Sequence, residues 1–414
     1  MTIFSLTISI AAMLFLVNKK VNTGYSLMTG SILLALLNGK GFVYVIKIFL
    51  KTLLESATIT LAITIILITI LGHLMEKYLI LDRMILSLEK MLRSAKTTIL
   101  IAPAIIGTLL VTGGALMSCP VVENLGKRLN MPKDRRASIN LVFRHGLYFV
   151  FPLSPTMIMA AKLGDYKVWD FIKLQFPIAL VMYILGYIFY LRSFNEPKIE
   201  KVKDLKQYLK TICEFLLYSS PILVSLLGVA LFNLPFYFSL IAGILLSISI
   251  NLYDRKQDNK YKINENIFKL IYSGIKPSMA IVIIGIMLYK NVVNDIDEIY
   301  VYLNNLLDKG IPIEVLILAA CAIISFPMAS IQPGVAILFP MILPLAPTYE
   351  IKLLYAMFIY ISAFMFYYIS PLHLCQVLTL EYFDVKMKDL YKNYKYLLPL
   401  TYLMMIIIYI VKIL

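Results

Sequence analysis

The feature that most limits this chain is a run such as Ile59 to Leu71, ITLAITIILITIL, which holds no charge at all. Similar runs recur along the 414 residues, 60% of which are hydrophobic and only 15% charged. A soluble domain carries about 25% charged residues, and one core cannot hide this much apolar surface. A helix needs roughly 20 mostly apolar residues to cross a bilayer. The expected fold is therefore an all-α polytopic membrane protein, multi-pass in the inner (plasma) membrane, with the lipid bilayer as its partner.

Candidate spans fall at about 2–17, 25–44, 56–75, 137–160, 170–192, 210–231, 235–253, 267–290, 351–372 and 396–414. The first lacks the basic region and the cleavage site of a signal peptide and reads as a membrane helix. Two further apolar stretches, 97–125 and 312–345, are broken by Gly and Pro. Ile80 to Arg93 and Ile296 to Leu307 repeat apolar residues at three and four, as helices lying on a membrane surface do.

A hydrophilic stretch at 195–209 divides the chain into halves 1–194 and 210–414, and the halves share landmarks. Gly114 stands six residues before Pro120, and Gly334 six before Pro340. YFVFPLSP ends at Ser154-Pro155 and FMFYYISP at Ser370-Pro371; Asp170-Phe-Ile-Lys173 and Asp389-Leu-Tyr-Lys392 follow. The expectation is two repeats, each with five membrane helices, a surface helix and a re-entrant hairpin. An odd number of crossings inverts one half against the other.

The net charge of +15 sits mainly in short connections, which is the positive-inside bias of membrane loops rather than a nucleic-acid surface. Lys127, Arg128, Lys133, Arg135 and Arg136 are assigned to the cytoplasm, as are Lys386, Lys388, Lys392 and Lys395. Asp295, Asp297 and Glu298 fall outside; Lys40, Lys47 and Lys51 fall there too and run against the assignment.

A stretch whose flanks lie on one side is a re-entrant hairpin, and backbone interrupted at membrane depth marks binding sites in transporters with inverted repeats. The tips read as Thr112-Gly113-Gly114, with Ser118 just beyond, and Ser330-Ile-Gln332-Pro333-Gly334. The alternative is an ordinary kinked helix. The Ser-Pro breaks add Ser154, Thr156, Ser370, His373 and Gln376 as groups able to coordinate a carboxylate or a cation; either Ser alone would serve equally to satisfy carbonyls freed by the Pro. Arg144 lies about 12 Å along a helix from Arg136. A charge at that depth is an anion partner, or half of an ion pair with Glu123, or a snorkelling side chain. His73 reads as interfacial.

No HExxH, GxSxG, Walker A or GxGxxG motif occurs, so catalytic residues are not expected. The four cysteines are far apart and read as buried thiols, and no histidines pair at ligand spacing, so neither a metal nor another cofactor is expected.

GGALMSCPVVENLG (113–126), RASINLVFRH (136–145) and FPLSP (151–155) resemble domain-of-unknown-function family 401, over essentially the whole chain. That family looks related to the ion-transporter superfamily of gluconate, citrate and dicarboxylate carriers. The resemblance implies a homodimer, with a scaffold and a mobile transport domain that holds the two hairpins. Members of the superfamily often carry Ser-Asn-Thr at the hairpin tips; neither tip has it here. The reading is a secondary active transporter of a small, anionic, organic acid-like solute coupled to H⁺ or Na⁺. An intramembrane enzyme acting on lipid or peptide, and a non-transporting scaffold, are the alternatives.

Overall fold

The computed structural model describes residues 2–108, 114–195, 205–232, 234–257 and 266–413. Among these the fold is helical, with no strand. The first half contributes α1 (Thr2–Asn18), α2 (Thr23–Leu37), α3 (Phe42–Leu54), α4 (Ser56–Lys77), α5 (Ile80–Leu92), α6 (Ala95–Thr108), α7 (Gly114–Arg128), α8 (Lys133–Gly146), α9 (Pro155–Gly164) and α10 (Val168–Gly186). The second contributes α11 (Leu205–Phe232), α12 (Phe236–Gln257), α13 (Ile267–Gly274), α14 (Pro277–Asn294), α15 (Asp297–Asp308), α16 (Ile313–Met328), α17 (Ile331–Ile342), α18 (Tyr349–Ile369), α19 (Leu374–Phe383) and α20 (Met387–Ile413). Seven segments of the described residues are long and apolar enough to cross a membrane, and shorter apolar helices accompany them. Large apolar side chains such as Phe4, Leu216, Leu231 and Ile407 stand exposed, as on a face turned to lipid.

Local chemistry sets the helix ends. Asn22 and Thr348 accept hydrogen bonds from the Gly24 and Ile351 backbone N–H groups at the starts of α2 and α18. Pro155 and Pro277 occupy first turns, where a missing N–H costs nothing. Asp165 and Asp384 close α9 and α19 in the left-handed region, which Asp tolerates better than most residues.

Three expected spans are resolved differently. The stretch 25–44 is divided, since α2 stops at Leu37 and α3 starts at Phe42, with Gly39 in the left-handed region between them. The stretch 137–160 is not one helix: α8 stops at Gly146, a 3₁₀ turn covers Leu147–Phe149, and α9 starts at Pro155. Pro152 and Pro155 remove the donors that would continue the helix, and the Tyr148 carbonyl accepts instead from the Tyr360 hydroxyl at 2.9 Å. The stretch 267–290 is likewise two helices, α13 and α14, divided before Pro277.

The helices pack as two groups. One joins α1 to α4 with α11 to α14; α2 runs against α14, and α4 against α12 and α14. The other joins α6 to α10 with α16 to α20. The amphipathic α5 bridges them, touching α4, α6 and α11, while α15 touches α1 and α14. The groups meet chiefly where α14 packs on α17, α1 on α16, and α4 on α9.

Polar contacts sort the loops to two ends. Arg83 pairs with Asp254 at 2.5 Å, Arg128 with Glu89 at 3.2 Å, and Lys133 with Asp384 at 3.3 Å. At the other end Tyr44 donates to Asp295 at 2.8 Å, Asn291 to Glu55 at 3.1 Å, and Tyr349 to Asp170 at 3.0 Å. The basic loops thus share one end and the acidic start of α15 lies at the other.

Candidate functional site

Helices α6 and α7 pack as one hairpin, and α16 and α17 as another. Thr112 and Gly113 lie outside the described residues; Gly114 opens α7. In the second hairpin the turn is narrower than expected. Ala329, with φ of 45°, and Ser330 make it alone, so Gln332, Pro333 and Gly334 belong to the first turn of α17. Gly334 serves packing: a Cβ there would come within 2.4 Å of Ser325 Oγ and 3.1 Å of Ala363 Cβ.

The second arm of each hairpin meets a broken helix from the other half. α7 packs on α8 and α19; α17 packs on α18 and α9. These two junctions differ in chemistry. Asn140 Nδ2, on α8, lies 3.0 Å from Thr379 Oγ1, 3.3 Å from Cys119 Sγ and 3.4 Å from the Ala115 carbonyl. One turn on, Arg144 is 4% exposed and its backbone abuts Gly107 of α6, where a Cβ would lie 2.4 Å from the Arg144 carbonyl oxygen. Ser118 is buried and donates to the Ala115 carbonyl at 3.1 Å. Aligning the two Ser-Pro pairs, the positions of Asn140, Arg144, Gln376 and Thr379 are taken in the second junction by Ala356, Tyr360, Ala160 and Leu163. Buried polarity is thus concentrated in the junction of α7, α8 and α19.

The second break accounts for its own backbone. Pro371 ends α18 and leaves carbonyls open. The Gln376 amide donates to the Tyr368 carbonyl and, at 3.2 Å, to that of Ser370; the Tyr391 hydroxyl donates to Ile369 at 2.7 Å. Ser370 Oγ accepts from the Leu372 N–H at 3.3 Å. Ser370 thus accepts from an N–H rather than satisfying a freed carbonyl, and it is the Gln376 amide that takes up the carbonyls, its own Oε1 being buried without a partner. Ser154 lies at the start of α9 beside Tyr360, and Thr156 is buried in its first turn, away from α7.

The expected Glu123–Arg144 ion pair is replaced. Glu123 is held by Arg136 at 2.6 Å and by Lys127 at 2.7 Å. Lys127 is four residues on from Glu123 along α7 and Arg136 lies opposite on α8, so helix geometry favours these nearer partners.

Beside Arg144, the break regions bring an aromatic and imidazole cluster together. The His145 and His373 rings are 4.9 Å apart, Tyr367 and His373 4.1 Å, and His145 and Tyr148 5.0 Å. The ligand atoms of His145, His373 and Cys375 lie within 4.8 Å of one another. Sequence spacing gave no hint of this, because the first two residues come from different halves. Asn140, Cys119, Cys375 and Thr379 were also missed. The available signal was the four-residue step from Asn140 to Arg144 and the three-residue steps through His373, Gln376 and Thr379, each one helix face.

The model of the family described as "Protein of unknown function (DUF401)" matches residues 2–412. Among curated proteins, none matches. Among solved structures, the YdaH transporter of Alcanivorax borkumensis is similar in fold, with a TM-score of 0.61 at 13% sequence identity, over 90% of this chain and 88% of that one.

Proposed function

We infer that this chain, which belongs to the DUF401 family of proteins of unknown function, is a secondary active transporter of a small anionic solute. The observation that carries the reading is the polar junction of α7, α8 and α19. It places Arg144, Asn140 and Thr379 in the interior of an apolar helix bundle, where a charge is costly and kept for a purpose. A guanidinium there offers a forked set of donors to a carboxylate or similar anion, and the Asn140 Oδ1 atom is buried without a partner, ready for a donor group on the solute. The likeness in fold to a transporter supports the same reading.

In this proposal the two halves have opposite orientation in the plasma membrane, and the basic end is cytoplasmic. The group α6–α10 with α16–α20 carries the solute past the group α1–α4 with α11–α14, which forms the scaffold and the contact within a homodimer. H⁺ or Na⁺ supplies the coupling.

The test is counterflow of labelled organic anions in proteoliposomes, guided by a thermal-shift screen with and without Na⁺. Saturable exchange that falls roughly 10- to 100-fold in Arg144→Gln, the loss of one charge-assisted contact, is the expected result. Stabilisation by cations or neutral solutes alone would remove the anion assignment. Turnover of lipid or peptide in detergent, without exchange, would replace transport by catalysis.

A further inference from the structure

We propose that His145, His373 and Cys375 form a binding site for one thiophilic, monovalent d¹⁰ metal ion, Cu⁺ in the first instance. Three atoms within 4.8 Å of one another have a common centre no more than about 2.8 Å from each. Nitrogen and sulfur ligands bind such metals at about 2.0–2.3 Å, so side-chain shifts of under about 1 Å complete the set. Two imidazoles and a thiol are the donor types that soft first-row ions select.

The surroundings prepare the donors. His145 Nδ1 is 2.7 Å from the Leu141 carbonyl, which can only accept, so Nδ1 carries the proton; the Nε2 lone pair faces the Tyr367 hydroxyl at 3.2 Å, which must turn aside as an ion binds. His373 is 1% exposed; its Nδ1 lies 3.2 Å from the Gln376 amide nitrogen and its Nε2 is buried without a hydrogen-bond partner, so ligation through Nε2 takes the Nδ1–H tautomer with the Gln376 amide turned. A buried imidazole nitrogen of that kind is costly unless something occupies it. Cys375 stands in the first turn of α19 and is half-buried; its sulfur gives up its proton as it binds the ion.

Charge decides between ions. Cu⁺ and one thiolate sum to zero, and the metal stays in the same oxidation state throughout. Zn²⁺ with the same ligands leaves a net positive charge beside the buried Arg144, the next residue to His145. The cluster is therefore matched to a monovalent ion.

The inference does not depend on transport, and its test is metal retention by the full-length protein in detergent. Chains are loaded under argon with Cu⁺ or with Zn²⁺, challenged with a chelator, desalted and assayed for metal. Wild type is expected to keep about one Cu⁺ per chain, with Zn²⁺ held at least about tenfold less well. Cys213→Ser, which changes an exposed thiol, should match wild type. Cys375→Ser and His373→Gln should each weaken retention at least about tenfold while eluting as wild type does in size exclusion. Failure of wild type to hold Cu⁺, or equal retention in Cys375→Ser, overturns the site. Tighter retention of Zn²⁺ than of Cu⁺ overturns the monovalent assignment.

Discussion

Arg136 and Arg144 lie two turns apart on α8 and are both buried, yet the fold treats them differently. Arg136 faces α7, where Glu123 meets it at 2.6 Å. Glu123→Gln leaves that guanidinium without its carboxylate. The expected loss is about 1–3 kcal/mol, below the full cost of breaking a buried pair because Glu123 keeps some solvent. A lower melting temperature in detergent, lessened at high salt, would register it; an unchanged melt would show the pair to be idle. Asn140 is the contrasting case. Its amide contacts three acceptors while Oδ1 has none, an arrangement that stability alone does not ask for. Asn140→Leu should therefore leave the melting temperature nearly unchanged, or raise it, while uptake falls roughly tenfold. A large fall in melting temperature would make Asn140 a structural residue. Arg144 was legible in the sequence because a lone charge deep in an apolar run stands out. Asn140 and Thr379 were not, because single neutral polar residues are common in membrane helices and only their meeting across α8 and α19 gives them meaning.

At the scale of elements, glycine sets how closely α2 and α14 cross. A Cβ on Gly285 would lie 2.4 Å from the Gly24 carbonyl oxygen, and one on Gly24 would lie 2.3 Å from that of Ile281. Both neighbours are backbone, so neither can swing aside. Small residues that let backbones touch are how membrane helices gain packing where lipid offers no hydrophobic drive. Gly285→Val should cost about 1–3 kcal/mol or more and lower the yield of folded protein, whereas Gly41→Val, in open space, should not. Equal melting of the two variants would mean that the crossing is slack. The two Ser-Pro breaks could be read from the sequence, since proline acts through its own missing N–H, whereas Pro120 and Pro340 sit inside α7 and α17. The exact end of α8 could not be read in that way. It depends on Tyr360, from the other half, satisfying the Tyr148 carbonyl. The narrow turn at Ala329–Ser330 was hidden for a related reason: Gly334 looks like a tip residue, but its smallness is used against Ser325 and Ala363.

For the whole molecule, the charge pattern predicted which loops share an end, and the contacts agree: Lys133 reaches Asp384, and Arg83 reaches Asp254, at one end, while Tyr44 reaches Asp295 at the other. The division into two packed groups had no such signature. Each group takes helices from both halves, and long-range pairing of apolar faces leaves no mark on local periodicity. That division carries the mechanical content of the transport proposal. Ile68 of α4 and Leu153 of the first break line one small cavity between the groups. If one group slides against the other during each cycle, a short covalent tie between these positions must stop it. We therefore expect Ile68→Cys with Leu153→Cys, in a chain whose exposed Cys213 is serine, to lose most of its counterflow when a short bifunctional maleimide joins the two, and to keep it when either cysteine is present alone. A tie within one group, between Ser362→Cys on α18 and Tyr402→Cys on α20, whose hydroxyls lie 2.8 Å apart, should leave exchange intact. Equal exchange with and without the first tie would mean that the groups stay together while solute crosses, and the alternation would have to come from the hairpins alone.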